Sequence, residues 1–90
     1  MAEATLSVDV VTPEKLAYSA DKAVLVSAPA TLGRVGILPG HAPLVSTLEK
    51  GELHIRENDG REVRMETGPG FLQVKQNKVI ILVEKIQAIS

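Results

Sequence analysis

Apolar residues recur at every second position through most of this chain, and no long run keeps the 3.6-residue period of a helix. Period two puts one side of an extended strand against a core and leaves the other to water. Leu6, Val8 and Val10 alternate with Ser7, Asp9 and Val11, which reads as a half-buried strand. Pro13 ends it, because proline has no N–H for a sheet ladder. Lys22 to Ala28 reads as a mostly buried strand stopped by Pro29. Between the two, Glu14 to Ala20 favours helix by residue type, but so short a segment decides nothing. Thr31 to Pro43 is punctuated by glycine and proline, Val45 to Leu48 is a short strand, and Gly51 is a turn.

Two hairpins follow, and their registers can be argued. Leu53 and Ile55 form the apolar side of one strand, Val63 and Met65 that of the next. Residues directly opposite share a face, so Ile55 pairs with Val63 and Leu53 with Met65. That register leaves the loop Asn58-Asp59-Gly60, with Gly60 where a left-handed conformation is wanted. It also sets Arg56 opposite Glu62 and Glu57 opposite Arg61 on the solvent side, where His54 also falls. Gly68-Pro69-Gly70 is a break. Phe71 to Lys75 and Lys78 to Val83 then flank the pair Gln76-Asn77, with Val74 opposite Val79. Val79 to Val83 is apolar on both faces, which predicts a central strand covered on both sides.

Short strands at this spacing make an all-β sandwich or barrel, and 90 residues make one domain, 1–90. With 44% hydrophobic and 23% charged residues the chain is an ordinary globular one, and its two aromatics leave the core to Val, Ile and Leu. A net charge of −1 gives no reason to expect nucleic acid. The chain has no cysteine, hence no disulfide and no thiolate metal site. No apolar run is long enough for a membrane helix, and Met1 to Thr5 lacks the basic start of a signal peptide, so no direct membrane insertion is expected.

The chemistry of a catalytic site is missing. Gly33, Gly36 and Gly40 invite a phosphate-loop reading, but no Gly-Lys-Ser/Thr follows, so no nucleotide binding is expected. His41 and His54 are far apart in sequence and belong to no metal-ligand pattern, so no metal and no cofactor are expected. The serines lack any nucleophile motif, and the carboxylates alternate with Lys and Arg as on a solvated strand surface. The segment that stands out is Gly36-Ile37-Leu38-Pro39-Gly40-His41-Ala42-Pro43-Leu44. Pro39 and Pro43 fix two φ angles, while Gly36 and Gly40 permit conformations other residues avoid. The plainer reading of His41 is an imidazole hydrogen-bonded to neighbouring backbone; the sharper one is a partner contact. On these residues alone, a free-standing β-sandwich that binds a protein or peptide stands open, and so, less well supplied with residues, does a small hydrolase or isomerase.

The segment Gly33 to Leu44 resembles the signature of the epsilon subunit of F-type ATP synthase. Leu6-Ser7-Val8-Asp9-Val10-Val11-Thr12-Pro13 is similar to that family's opening strand. Thr67 to Val74 followed by Asn77 to Leu82 is similar to its closing hairpin. The likeness runs in order from about Leu6 to Ile86. It implies a flattened sandwich of two five-stranded sheets with no catalytic role of its own. It implies a place in the central stalk, bound to the gamma subunit and seated on the membrane c-ring, reaching the alpha/beta head through gamma. The module would clamp gamma to the ring, couple ion translocation to ATP synthesis, and work at the cytoplasmic face of a bacterial inner membrane as a peripheral component. The resemblance offers Thr12, His41 and Ser46 as gamma contacts. Gly33 and Arg34 are candidates for the c-ring, although Arg34 stands where some relatives carry an acidic residue. Family members commonly continue into two C-terminal helices that inhibit ATP hydrolysis. This sequence stops at Ser90, and the expectation is that it neither inhibits in that way nor senses ATP.

Overall fold

The computed structural model describes residues 4–88; Met1 to Glu3, Ile89 and Ser90 lie outside them. The described residues form nine strands and no helix: β1 (Leu6–Val11), β2 (Leu16–Ala30), β3 (Gly33–Ile37), β4 (Leu44–Leu48), β5 (Gly51–Glu57), β6 (Glu62–Thr67), β7 (Gly70–Lys75), β8 (Lys78–Val83) and β9 (Ile86–Ala88).

The long strand β2 explains the architecture. Its first part pairs with β1 from Leu16 to Ala23, and its second part pairs with β5 from Ala23 and with β3 from Val26. The register slips between Ala23 and Leu25, a bulge at the point where the strand passes from one layer to the other. The first layer is β4-β7-β8-β1 with the start of β2, and the second is β3, the end of β2, β5, β6 and β9. Counting β2 in both, these are the two five-stranded sheets of a sandwich. The pair β1–β8 is parallel and every other pair antiparallel. Leu6, Val8, Val10, Leu72, Val74, Val79 and Ile81 from the first layer meet Val26, Ile37, Leu53 and Ile55 from the second in one buried cluster.

Both hairpins have the expected register. Ile55 faces Val63 and Leu53 faces Met65, Gly60 has φ +91°, and Arg56 donates to Glu62 at 3.0 Å. Val74 faces Val79, and Gln76 and Asn77 both have positive φ (51° and 61°), as a two-residue turn between right-twisted strands requires.

Several expectations are corrected. Glu14 to Ala20 is not helical: from Leu16 it is strand, because pairing Val10 with Tyr18 and Val8 with Ala20 outweighs residue preference. Pro29 does not stop β2. It lies past the last β2–β5 pair, Ser27 with His54, where one side of the strand no longer carries that ladder, and it still pairs with Arg34. Gly51 begins β5 rather than making a turn; a Cβ there would press on Pro29 at 2.9 Å. Gly70 opens β7. The glycine-rich stretch contains β3, and β9 pairs with β6 beyond the last strand foreseen. β8 is central, between β1 and β7, but covered on one face only: Ile80 is half-buried and Leu82 is 48% exposed.

Tyr18, the only tyrosine, donates its hydroxyl to Glu57 Oε2 at 2.8 Å. Burial first, and then the Glu57 hydrogen bond and charge, push the phenol up to about 12. A folded value above the unfolded one of about 10 means that this contribution to stability is fully present below pH ~10 and lost as pH rises through ~12. Phenolate absorbance of the native protein should therefore rise near pH ~12, against ~10 in denaturant; coincident titrations would refute the linkage. Tyr18→Phe should remove the alkaline part of the stability profile.

Candidate interaction surface

The strand registers arrange the outer side chains of the first layer in rows. One row runs Thr47, Phe71, Leu82, Val11 and Leu16 across β4, β7, β8, β1 and β2. The next runs Val45, Gln73, Ile80, Asp9 and Ser19. Val45, Phe71 and Leu16 are 73%, 56% and 56% exposed. Single exposed apolar residues are ordinary, but a contiguous set on one face marks a surface that another molecule covers. At the end of this face a groove of about 620 Å³ opens between Val11, Thr12, Pro13, Phe71, Leu82 and Glu84.

The outer side of the second layer is different. His54 lies between Ser27 and Arg64, and Arg56 faces Glu62. Arg56 Nη2 is 2.9 Å from Glu62 Oε1, and this hydrogen-bonded guanidinium holds the Glu62 carboxyl below its usual range. His54 is on the outer side, as expected, but half-buried there; its Nε2 makes no hydrogen bond and lies 3.5 Å from the same carboxylate. This face is polar, with Arg56, His54 and Glu62 drawn together at its centre.

The stretch singled out in the sequence is a compact turn. His41 N–H donates to the Leu38 carbonyl at 3.1 Å, closing Leu38-Pro39-Gly40-His41 with φ +87° at Gly40. Proline second and a positive-φ glycine third define a type II turn. Pro43 stands just before β4. Gly36 is no part of this turn: it lies inside β3, without positive φ and with nothing within 4 Å of a built Cβ. His41 Nδ1 is 2.7 Å from the Ala42 carbonyl, which can only accept, so Nδ1 carries the proton and Nε2 is left as the free acceptor of the neutral ring. The Gly40 N–H donates to Asn77 Oδ1 at 2.7 Å, which fastens the turn to the β7–β8 hairpin.

The remaining candidates are spread out. Thr12 exchanges backbone hydrogen bonds with Lys15 at the β1–β2 connection and lines the groove. Ser46 is half-buried on β4, opposite Leu72. Thr12 and His41 thus sit at opposite ends of the first layer, with Ser46 on the strand that follows the His41 turn. Gly33 (φ +128°) and Arg34 open β3, beside the fully exposed tip residue Leu32. Arg34 donates through Nε to Ser27 Oγ at 2.8 Å and through Nη2 to the Glu52 carbonyl at 2.6 Å, tying β3 across β2 to β5. Gly33 begins β3 and His41 lies beyond its other end, so the two do not converge.

Phe71, Leu82, Val45 and Leu16 were not singled out as functional from sequence. The available signal was the run Val79 to Val83, apolar on both faces, whose second face the described residues leave open. Among the described residues no group of three or more His, Cys, Asp or Glu could hold a metal, and no helix is long and apolar enough to cross a membrane. The polar groups that remain do not converge on a reacting atom, as acid–base or nucleophilic chemistry would need.

A sandwich with one polar face and an exposed apolar row on the other has the surface of a protein-interaction domain. The comparisons say which kind. The pattern of the family described as ATP synthase, Delta/Epsilon chain, beta-sandwich domain matches residues 5–89, and the chain belongs to that family. It is 42% identical over 82 residues to an ATP synthase epsilon chain of Desulforudis audaxviator, covering 91% of this chain and 58% of that protein. The epsilon chain of Brevibacillus brevis is 40% identical over 79 residues, covering 88% of this chain and 59% of its own length. The chain thus spans about three-fifths of the curated relatives it matches. The same fold occurs in a chain of the Euglena gracilis mitochondrial ATP synthase OSCP/F1/c-ring structure (TM-score 0.89, 18% identity, 96% of this chain and 54% of that one). It occurs again in the central stalk/c-ring structure of the Tetrahymena thermophila enzyme (TM-score 0.78, 18% identity, 97% and 69%).

Proposed function

We propose that this chain is a non-catalytic rotor component of a rotary ATP synthase, which clamps gamma to the c-ring so that ion-driven rotation reaches the catalytic head. The observation that carries the reading is the uncovered row Thr47–Phe71–Leu82–Val11: a sheet face of this composition needs a partner, and the family supplies one. Gamma covers the outer face of the first layer. Thr12 at the groove and the His41 turn belong to that layer or its rim, and His41 offers Nε2 as an acceptor, whereas Ser46 shares the core side of β4 with Leu72 and can meet gamma only at the strand's edge. The protein is then held at the cytoplasmic side of the membrane through its partners. The test is to mix the chain with the cognate gamma subunit and measure the mass of the product. A stable one-to-one complex is expected; two separate species would overturn the reading and leave a sandwich with some other partner.

Gly33 and Arg34 meet the ring in this reading, next to the exposed tip at Leu32. Because Arg34 also braces β3, Arg34→Glu is compared with Arg34→Lys in the assembled enzyme. Arg34→Glu should lower ATP-driven ion pumping several-fold, about the loss of one charge pair of 1–2 kcal/mol, with soluble ATPase activity and gamma binding intact. Arg34→Lys should pump normally. Unchanged pumping in both would sink the ring contact.

A further inference from the structure

The outer face of the first layer changes character along its length. Beyond the row Val45, Gln73, Ile80 and Asp9 come Lys75, Lys78 and Ser7. Lys75 and Lys78 are direct cross-strand partners on either side of the Gln76-Asn77 turn, and both are exposed. Like charges set directly opposite are destabilising, and neither lysine forms an ion pair with any described residue. Asp9, the acid on the same face, accepts a hydrogen bond from Ser19 at 2.8 Å. Between the lysines lies a depression of about 330 Å³ lined by Gln73, Lys75, Gln76, Lys78 and Ile80. Its walls are held in place: the Asn77 side chain fastens the hairpin to the Gly40 N–H, and the Asn77 carbonyl accepts from Ser7 N at 2.9 Å. The basic end is local, since the whole chain carries a net charge of −1.

We infer that Lys75 and Lys78 form a recognition point for a carboxylate-bearing segment of gamma, the partner that covers Phe71 and Leu82. The inference rests on the partner reading above. The depression is continuous with the apolar rows through Gln73 and Ile80, so one partner surface can cover both. Its two Lys and two Gln side chains offer donors to a carboxylate, and the opposed lysines lose their mutual repulsion when an anion sits between them. Such a contact fixes the register of the partner along the face, while the apolar rows supply most of the affinity.

The test uses the intact chain and purified cognate gamma, at about 0.1 M and about 1 M ionic strength, where the screening length falls from ~10 Å to ~3 Å. Lys75→Gln/Lys78→Gln should bind gamma roughly 10-fold more weakly than the natural chain at the lower salt and nearly equally at the higher. Lys75→Glu/Lys78→Glu should bind weaker still. The melting temperature of the Gln pair should stay level or rise, which separates recognition from folding. Equal affinity and equal salt dependence, with the complex otherwise formed, would overturn the inference and spare the partner reading. No gamma complex at either salt would overturn both. Binding of the natural chain to phosphatidylglycerol vesicles without gamma, lost in the Gln pair, would reassign the lysines to lipid headgroups and so overturn the carboxylate assignment.

Discussion

Gly70→Ala should destabilise the fold by about 3 kcal/mol, the upper end of what an overpacked methyl group ordinarily costs. Gly70 sits in β7 between Leu48 of β4 and Val83 of β8. A Cβ built on it would fall on the carbonyl oxygen of Leu82 and press on the Val83 backbone at 2.8 Å. Its φ is not positive, so the constraint is space and not conformation. The obstacle is backbone, which cannot rotate away as the end of a flexible side chain could. Moving β8 would disturb its ladder with β1, where Val11 faces Leu82, and the whole first layer depends on that ladder. For a chain of this size total stability is only roughly 5–13 kcal/mol, so the variant should unfold at much lower urea. Gly36→Ala is the internal control. With nothing within 4 Å of the built Cβ and no positive φ, it should shift stability by less than about 1 kcal/mol. A Gly70→Ala midpoint equal to that of the natural chain would show that β7 and β8 can part without cost.

The contrast between these two glycines shows what kind of information the sequence carried. In the sequence Gly70 reads as part of a break beside Pro69, and Gly36 as a conformationally free position in a stretch punctuated by glycine and proline. Only the three-dimensional pairing of β7 with β8 makes one indispensable and the other replaceable. The two hairpins were legible to the exact pair, because alternation, loop length and turn residues are all local and agree. The parts that were not legible depend on distant pairing. β9 is three residues long and exists through its ladder with β6. β3 holds two glycines in five residues and buries only Ile37, so it has almost no alternation to read. β2 was read in pieces because Leu16 to Ala20 gains its strand character from β1, and because a proline near a strand end need not break it.

The same limit applies to the interaction surface. An apolar residue that faces a partner has the same letter as one that faces the core. The register of the Phe71 to Val83 hairpin was readable, and with it the fact that Phe71 and Leu82 share a face opposite to Leu72 and Ile81. Whether that face was covered by the chain itself was not readable, and the natural inference from five apolar residues in a row was that it was. The described residues leave that face uncovered, and this exposed apolar row locates the surface better than any polar motif does. By contrast, the type II turn that carries His41 was legible as a rigid device from Pro39 and Gly40, since both its φ values follow from residue identity.

Phe71→Asp/Leu82→Asp should abolish the gamma complex while leaving the sandwich folded. Phe71 and Leu82 are direct cross-strand partners at the centre of the longest apolar row and lie at the mouth of the groove beside Thr12. Both are about half exposed, so in the free chain a carboxylate at either position remains in water. The free chain should lose the cross-strand contact and gain the repulsion of two directly opposed carboxylates, each about 0.2–1 kcal/mol. In the complex two carboxylates would be buried against apolar surface without partners, and loss of a central apolar anchor alone costs about 2–4 kcal/mol. The expected weakening is therefore at least ~100-fold, with a melting temperature lowered by no more than about 10 °C, so that the variant is still folded where binding is measured. The matched control is Arg64→Glu on the outer face of the second layer, which reverses one charge and should leave gamma binding unchanged. The opposite pattern, with gamma retained by Phe71→Asp/Leu82→Asp and lost in Arg64→Glu, would move the interface to the second layer. The exposed row on the first would then need another occupant, because an apolar sheet face of this kind does not stay in water without one.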